Sequence, residues 1–173
     1  MERSRQGRKL KTIELFYKQG NIEVSRSTRG DAEYIAANMC EADKEEIWAS
    51  HHSTPAMAMS YSIEKTIFCL TVKIDEHPVV VFGVNGETVL GDKGIVWMLS
   101  TDEISKLKFR FVRHSRMFID VMLGFYPLIY NHVDVRNKRS IAWLKFLGAR
   151  IDTAKPFGIE QKMFHYFHFK KEQ

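Results

Sequence analysis

Apolar residues recur along this chain with two spacings, and the changes from one to the other mark out its elements. Ile22-Glu23-Val24 alternates and predicts a short first strand. Ser27 or Thr28 then stands where a helix N-cap belongs, ahead of Ala32, Ile35, Ala36 and Met39 at helical spacing. Residues 42–48 predict a second short helix, the run His51-His52-Ser53-Thr54-Pro55 breaks the chain, and residues 56–65 predict a third, apolar-rich helix. Strands then dominate. Residues 67–74, a turn at Asp75-Glu76-His77-Pro78 and the apolar run 79–84 predict a hairpin whose second strand is central. Asn85-Gly86 and Gly91-Asp92-Lys93-Gly94 are turn signals on either side of Val89 and Leu90, and residues 95–99 form the next strand.

Residues 108–123 carry the strongest helical pattern, with Phe111, Val112, Phe118, Ile119, Met122 and Leu123 on one stripe and small Ser115 between them. The opposite face is a solvated one, with Arg116 and Asp120 spaced to pair at i,i+4. Pro127 opens a strand over residues 128–135. Asn137 caps a helix whose stripe is Ile141, Leu144 and Leu147, and Gly148 ends it. Residues 150–153 and 162–169 are two last strands around a loop holding Lys155, Pro156 and Gly158. The order is β, three α, three β, α, β, α, β, β. It predicts an α/β (α+β) fold with a mixed, mostly antiparallel twisted sheet. One right-handed crossover helix joins residues 95–99 to 128–135.

Composition adds bounds. A chain of 173 residues, 45% apolar and 27% charged, buries one core and is short for two. No apolar run reaches the roughly 18 residues a membrane helix needs. No secretory-type apolar stretch precedes Asn21, so a cytoplasmic setting is expected. The net charge is +5. Residues 1–20 hold Arg3, Arg5, Arg8, Lys9, Lys11 and Lys18 against Glu2 and Glu14, six minus two, and so supply +4 of it. The chain therefore divides into a basic N-terminal arm, 1–20, and a nearly neutral domain, 21–173, whose surface is not built for nucleic acid. The arm is expected to be a solvated basic tail, although its patch Ile13-Glu14-Leu15-Phe16-Tyr17 could dock on the domain or on a partner. Cys40 and Cys69 read as free thiols, and His51, His52, His165 and His168 fall in no zinc spacing.

The run from Val133 to Gly148 and the element order resemble the GNAT-type N-acyltransferases. In that family a strand is followed by Asn, a small residue three later, an aliphatic at four, Leu at ten and Gly at eleven. Asn137, Ser140, Ile141, Leu147 and Gly148 match. Within the family the chain is similar to internal virion proteins and candidate acetyltransferases of short-tailed phages, through Trp97 to Asp102 and the helix after Asn137. The resemblance covers residues 21–169, most specifically 95–150. It implies acetyl-CoA as cosubstrate, an amine-bearing small molecule or protein as acceptor, and, for a phage protein, other virion proteins as partners.

By the same resemblance, the backbone of Met98, Leu99, Ser100 and Thr101 would receive the pantetheine amides, and Asn137 and Ser140 would lie near the arm. The pyrophosphate would sit at residues 104–110, where Lys106, Leu107, Lys108 and Arg110 precede the strong helix and a helix N-terminus favours anions. The chain departs from the family there, because no glycine lies between Ser100 and His114 to let a phosphate approach the backbone. It departs again at Leu144, which stands where the family's thiolate-protonating tyrosine belongs. Bottom-up chemistry then offers Asp102 and Glu103, and His132 with Asp134 on one side of their strand, His132 as base. Two functions follow: a GNAT-type acyl-CoA-dependent N-acyltransferase, or a catalytically degenerate GNAT-fold phage internal virion or assembly protein. The missing glycines and tyrosine weigh toward the second.

Overall fold

The computed structural model describes residues 17–88, 91–107 and 109–171, with backbone alone for residues 109–112. Residues 1–16 of the basic arm, Val89-Leu90 and Lys108 lie outside the described residues. The rest of the arm does not stand apart from the domain. β1 (Tyr17–Gln19) pairs antiparallel with β2 (Ile22–Arg26), so the sheet begins inside the stretch assigned to the arm.

Three helices follow β2, as the spacing predicts: α1 (Arg29–Ala37), α2 (Glu41–His51) and α3 (Pro55–Lys65). Thr28 caps α1, with its hydroxyl accepting from the Asp31 N–H and the Asp31 carboxylate accepting from the Thr28 N–H. Next come β3 (Thr66–Ile74), β4 (His77–Gly86) and β5 (Lys93–Ser100), antiparallel throughout. A 3₁₀ turn at Asp102–Lys106 leads to α4 (Phe109–Phe125), which crosses to β6 (Leu128–Asp134), parallel to β5. α5 (Lys138–Leu147) is capped as the sequence predicts. The Asn137 side chain accepts from the Ser140 N–H, and Gly148 takes φ 91°.

β7 (Arg150–Ile151) and β9 (Lys162–Lys170) close the chain, and between them the expected loop is itself a strand, β8 (Lys155–Phe157), paired with β9. Three residues containing a proline give too short a pattern to register as a strand; its partner supplies the ladder. Along the sheet the order is β1-β2-β3-β4-β5-β6-β9-β7. Arg116 does not serve the expected i,i+4 pair; its guanidinium donates to the Phe146 carbonyl, tying α4 to α5.

The sheet separates two cores. On one face α4 and α5 cover Val72, Phe82, Ile129, Val133, Phe167 and Phe169; on the other α1 and α3 cover Val81, Trp97 and Leu99. The second contains a buried polar contact, Trp97 Nε1–H donating to Asn85 Oδ1 at 2.9 Å. Asn85→Ala leaves that indole N–H without its acceptor. It is expected to cost about 2 kcal/mol in urea unfolding.

Candidate functional site

β5 and β6 pair only over Lys93–Ile95 and Leu128–Tyr130, and then splay apart. The splay opens a cavity of about 140 Å³ whose apolar wall includes Val96, Met98, Phe118, Met122, Trp143 and Leu144. Its polar end is formed by Asp43, Glu46, Asn131, Asn137 and Ser140. This is the geometry the family resemblance implies for a pantetheine arm. What the edge of β5 does inside it is different.

Ser100 and Thr101 fix which β5 groups face the opening. The Thr101 N–H donates to the Val79 carbonyl on the β4 side, whereas Ser100 turns its N–H and carbonyl the other way. Alternation then turns Val96 and Met98 toward the splay and Leu99 toward β4. Of the three outward residues, two are already engaged. The Ser100 N–H and hydroxyl both donate to Asp43 Oδ2, at 2.8 and 2.9 Å, and the Ser100 carbonyl accepts from the Cys40 N–H. The Val96 carbonyl accepts from Asn131 Nδ2 at 2.7 Å, while Asn131 Oδ1 accepts from the His132 N–H. Asn131 thus spans the gap between the two strands just where their ladder stops.

Electrostatics concentrate at the polar end. Glu46 accepts from Asn137 Nδ2, and burial, reinforced by the nearby charges of Asp43 and Asp134, pushes its carboxyl up to about 7. Burial also raises Asp43, against the hydrogen bonds from Ser100. The buried Cys40 thiol is raised by burial and then by the Asp43 charge, so it is not an activated thiolate. Glu46 is therefore the carboxylate best placed to exchange a proton near neutrality.

The residues singled out from sequence divide sharply. His132 and Asp134 lie on one strand, and each has a separate partner. The His132 ring stacks on Phe157 at 3.8 Å, and burial lowers its pKa. Asp134 gives both oxygens to Arg136; burial alone would raise its carboxyl, but the Arg136 hydrogen bonds and charge hold it below the ordinary range. Met98, His132, Asn137 and Ser140 do border the cavity, whereas Leu99, Ser100 and Thr101 are not part of its lining. Lys106 is exposed and paired with Glu103 at 3.0 Å, and Leu107 follows the 3₁₀ turn. Lys108 and the Arg110 side chain lie outside the described residues. Among the described residues, no group of His, Cys, Asp and Glu gathers as a metal site, and no helix is long and apolar enough to cross a membrane.

Sequence reasoning missed Asp43, Glu46, Cys40 and Asn131. Asp43 and Glu46 do stand at i and i+3, one face of a helix, but among Glu41, Lys44 and Glu45 they read as part of a solvated surface.

Comparison with solved structures shows the fold. A ribosomal-protein-S5-alanine acetyltransferase from Vibrio fischeri superposes with a TM-score of 0.67 at 16% identity, over 92% of this chain and 98% of that one. A GNAT-family acetyltransferase from Bacillus anthracis gives 0.65 at 11%, over 92% and 100%. An acetyltransferase-type structure from Salmonella typhimurium, solved with its cofactor acetyl-CoA, gives 0.68 at 9%, over 89% and 96%. The fold is that of the GNAT acetyltransferases. In sequence, residues 69–154 match the family model described as Bacteriophage T7, probable scaffold protein Gp13. No curated protein matches the chain significantly.

Proposed function

We propose that this chain is a phage assembly or internal virion protein that keeps the GNAT fold and has turned its cofactor cleft to structural use. One observation carries this reading: side chains of the chain itself occupy the β5 edge on both sides of Met98, Asn131 at Val96 and Asp43 at Ser100. An incoming arm would have to displace a buried carboxylate from two donors, which costs more than an exposed strand edge would. The cavity of about 140 Å³ is also below the roughly 300 Å³ at which small-molecule sites begin. The absent glycines before α4 and Leu144 agree, and the scaffold-protein model over residues 69–154 supports the assembly setting.

Acyl transfer is the second reading, favoured by Glu46. A carboxyl with a pKa of about 7 beside the cavity can take the proton of an acceptor ammonium. Titrating acetyl-CoA to millimolar concentration into the full chain separates the two. The melting temperature is expected to stay constant, while the chain co-purifies with capsid precursors of the phage encoding it. A saturable rise of several degrees would overturn the assembly reading and return the cleft to catalysis.

A further inference from the structure

The side of β6 and β9 turned away from α4 and α5 carries rings rather than aliphatic core. Ile129, Val133, Phe167 and Phe169 point into the core under α4 and α5, so alternation sends Tyr130, His132, Tyr166 and His168 to the opposite side. There α1 and α3 cover Val81, Trp97 and Leu99 of β4 and β5, whereas these four residues of β6 and β9 meet one another. Tyr130 lies opposite His168, and His132 opposite Tyr166. The Tyr166 ring centre is 5.5 Å from those of Tyr130 and His132 and 5.7 Å from that of His168, so the rings form one continuous surface around it. All four are half-buried, and His168 Nδ1 has no hydrogen-bond partner among the described residues. Buried polar atoms are normally paired, so this block is not finished as a piece of core.

Register also fixes the charges around the rings. Lys93 and Lys170 are both level with Leu128, which has the parity of Tyr130, and Arg150 is level with His168. Lys155 and Lys162 come from the β8–β9 ladder, level with Phe164 and Phe157 on the same side. All five cations are exposed, and among the described residues none is drawn into an ion pair. The acids on this side are fewer. Glu87 accepts from the Tyr130 hydroxyl, Asp152 adjoins Tyr166 through its N–H, and buried Asp134 is paired with Arg136. The near-neutral charge of residues 21–173 is thus an average over a surface that is locally basic here. A second copy laid face to face would bring like charges together, and an acidic peptide would match the cations without using the rings. An occupant with both flat faces and negative charges uses both.

We propose that the ring face of β6 and β9 binds single-stranded nucleic acid, with bases stacked on Tyr166 and its neighbours and phosphates along Lys93, Lys170 and Arg150. A duplex, whose bases are stacked on one another, cannot offer them to this face. The site lies on a different side of the sheet from the core of α4 and α5, and its use does not depend on whether the cleft turns over a cofactor.

Fluorescence anisotropy on the full chain tests this with a labelled oligothymidylate of about 12 nucleotides, within the span of known single-strand sites. Binding is expected with a Kd of about 1–100 µM at physiological salt. An abasic strand of the same length carries the same phosphates and should bind at least tenfold more weakly. Tyr166→Leu keeps an apolar side chain and removes the stacking ring; it should weaken oligothymidylate binding about tenfold and leave the abasic strand unchanged. Lys93→Ala combined with Lys170→Ala alters only exposed positions, so it keeps the test alive should Tyr166→Leu fail to fold. It should reduce the slope of log Kd against log salt by about 1.4, two phosphate contacts on a single strand. Equal affinity for the abasic strand would overturn the proposal, because it assigns binding to charge alone, the basic residues 1–20 included. Unchanged binding in both variants, or no binding by the wild type, would overturn it as well.

Discussion

Glu46→Gln is expected to abolish much of the loss of stability that the protein shows between pH 5 and pH 8. Glu46 is pushed from its ordinary 4.5 to about 7, chiefly by burial. A carboxyl whose folded pKa is raised favours folding while protonated: its contribution is complete below about 4.5 and is lost as pH rises toward and through about 7. At about 1.4 kcal/mol per pH unit, the shift corresponds to a loss of about 3 kcal/mol. Glutamine keeps an oxygen to accept from Asn137 Nδ2 and cannot ionise. Urea unfolding at pH 5 and pH 8 should show the two proteins similar at pH 5 and the variant more stable at pH 8 by up to about 3 kcal/mol. Parallel pH profiles for the two would refute the burial of Glu46 as an acid. Gain of stability on removing a carboxylate also fits a cleft in which Glu46 is not held by a bound partner.

The other large effect is expected at Gly158, where the β8–β9 turn closes on the end of α2. Ile159 and Glu160 donate their N–H groups to the Ser50 and Ala49 carbonyls, so the turn caps α2 from outside the helix. Gly158 adopts φ 75°, and a Cβ there would lie 2.5 Å from the Ser50 Cα and 2.8 Å from the Ala49 oxygen. Both are backbone atoms, which cannot yield as a side-chain tip does. Gly158→Ala therefore combines a strained left-handed conformation with loss of the capping bonds, and should cost about 3 kcal/mol. Gly124→Ala on α4, where a Cβ meets nothing within 4 Å, is the control and should be neutral or stabilising. Equal melting temperatures for the two variants would remove the turn from the account of how α2 is held. That account matters because α2 brings Asp43 and Glu46 to the cleft.

How legible the fold was follows from where its signals lie. α5 could be read nearly to the residue because both ends are marked by local chemistry, Asn137 accepting from Ser140 and Gly148 in the left-handed region. The β3–β4 hairpin and the α4 crossover announced themselves by a change of period and by amphipathicity. β1 and β8 did not, since each has three residues and exists because a longer neighbour completes its ladder.

The site was less legible than the fold. Ser100 and Asn137 were singled out by resemblance to a family, but Asp43 meets Ser100 across 57 residues, and Asn137 meets Glu46 across 91. Nothing local distinguishes Asp43 and Glu46 from the other acids of α2. His132 and Asp134, placed together by alternation, each have a neighbour that local reading did not supply, Phe157 from the unread strand β8 and Arg136 two residues along the chain.

The sequence by itself therefore determined the element order, the crossover, the capped α5 and the two departures from the family pattern, the glycine-free stretch before α4 and Leu144. These depend on periodicity, caps and residue identity, which act over a few residues. Only the tertiary structure decided that the splayed edge of β5 is held by Asp43 and Asn131, and that burial beside it raises the Glu46 carboxyl and lowers the His132 pKa. Those outcomes depend on burial and on hydrogen bonds between distant segments, which exist only once α2 has packed against the sheet.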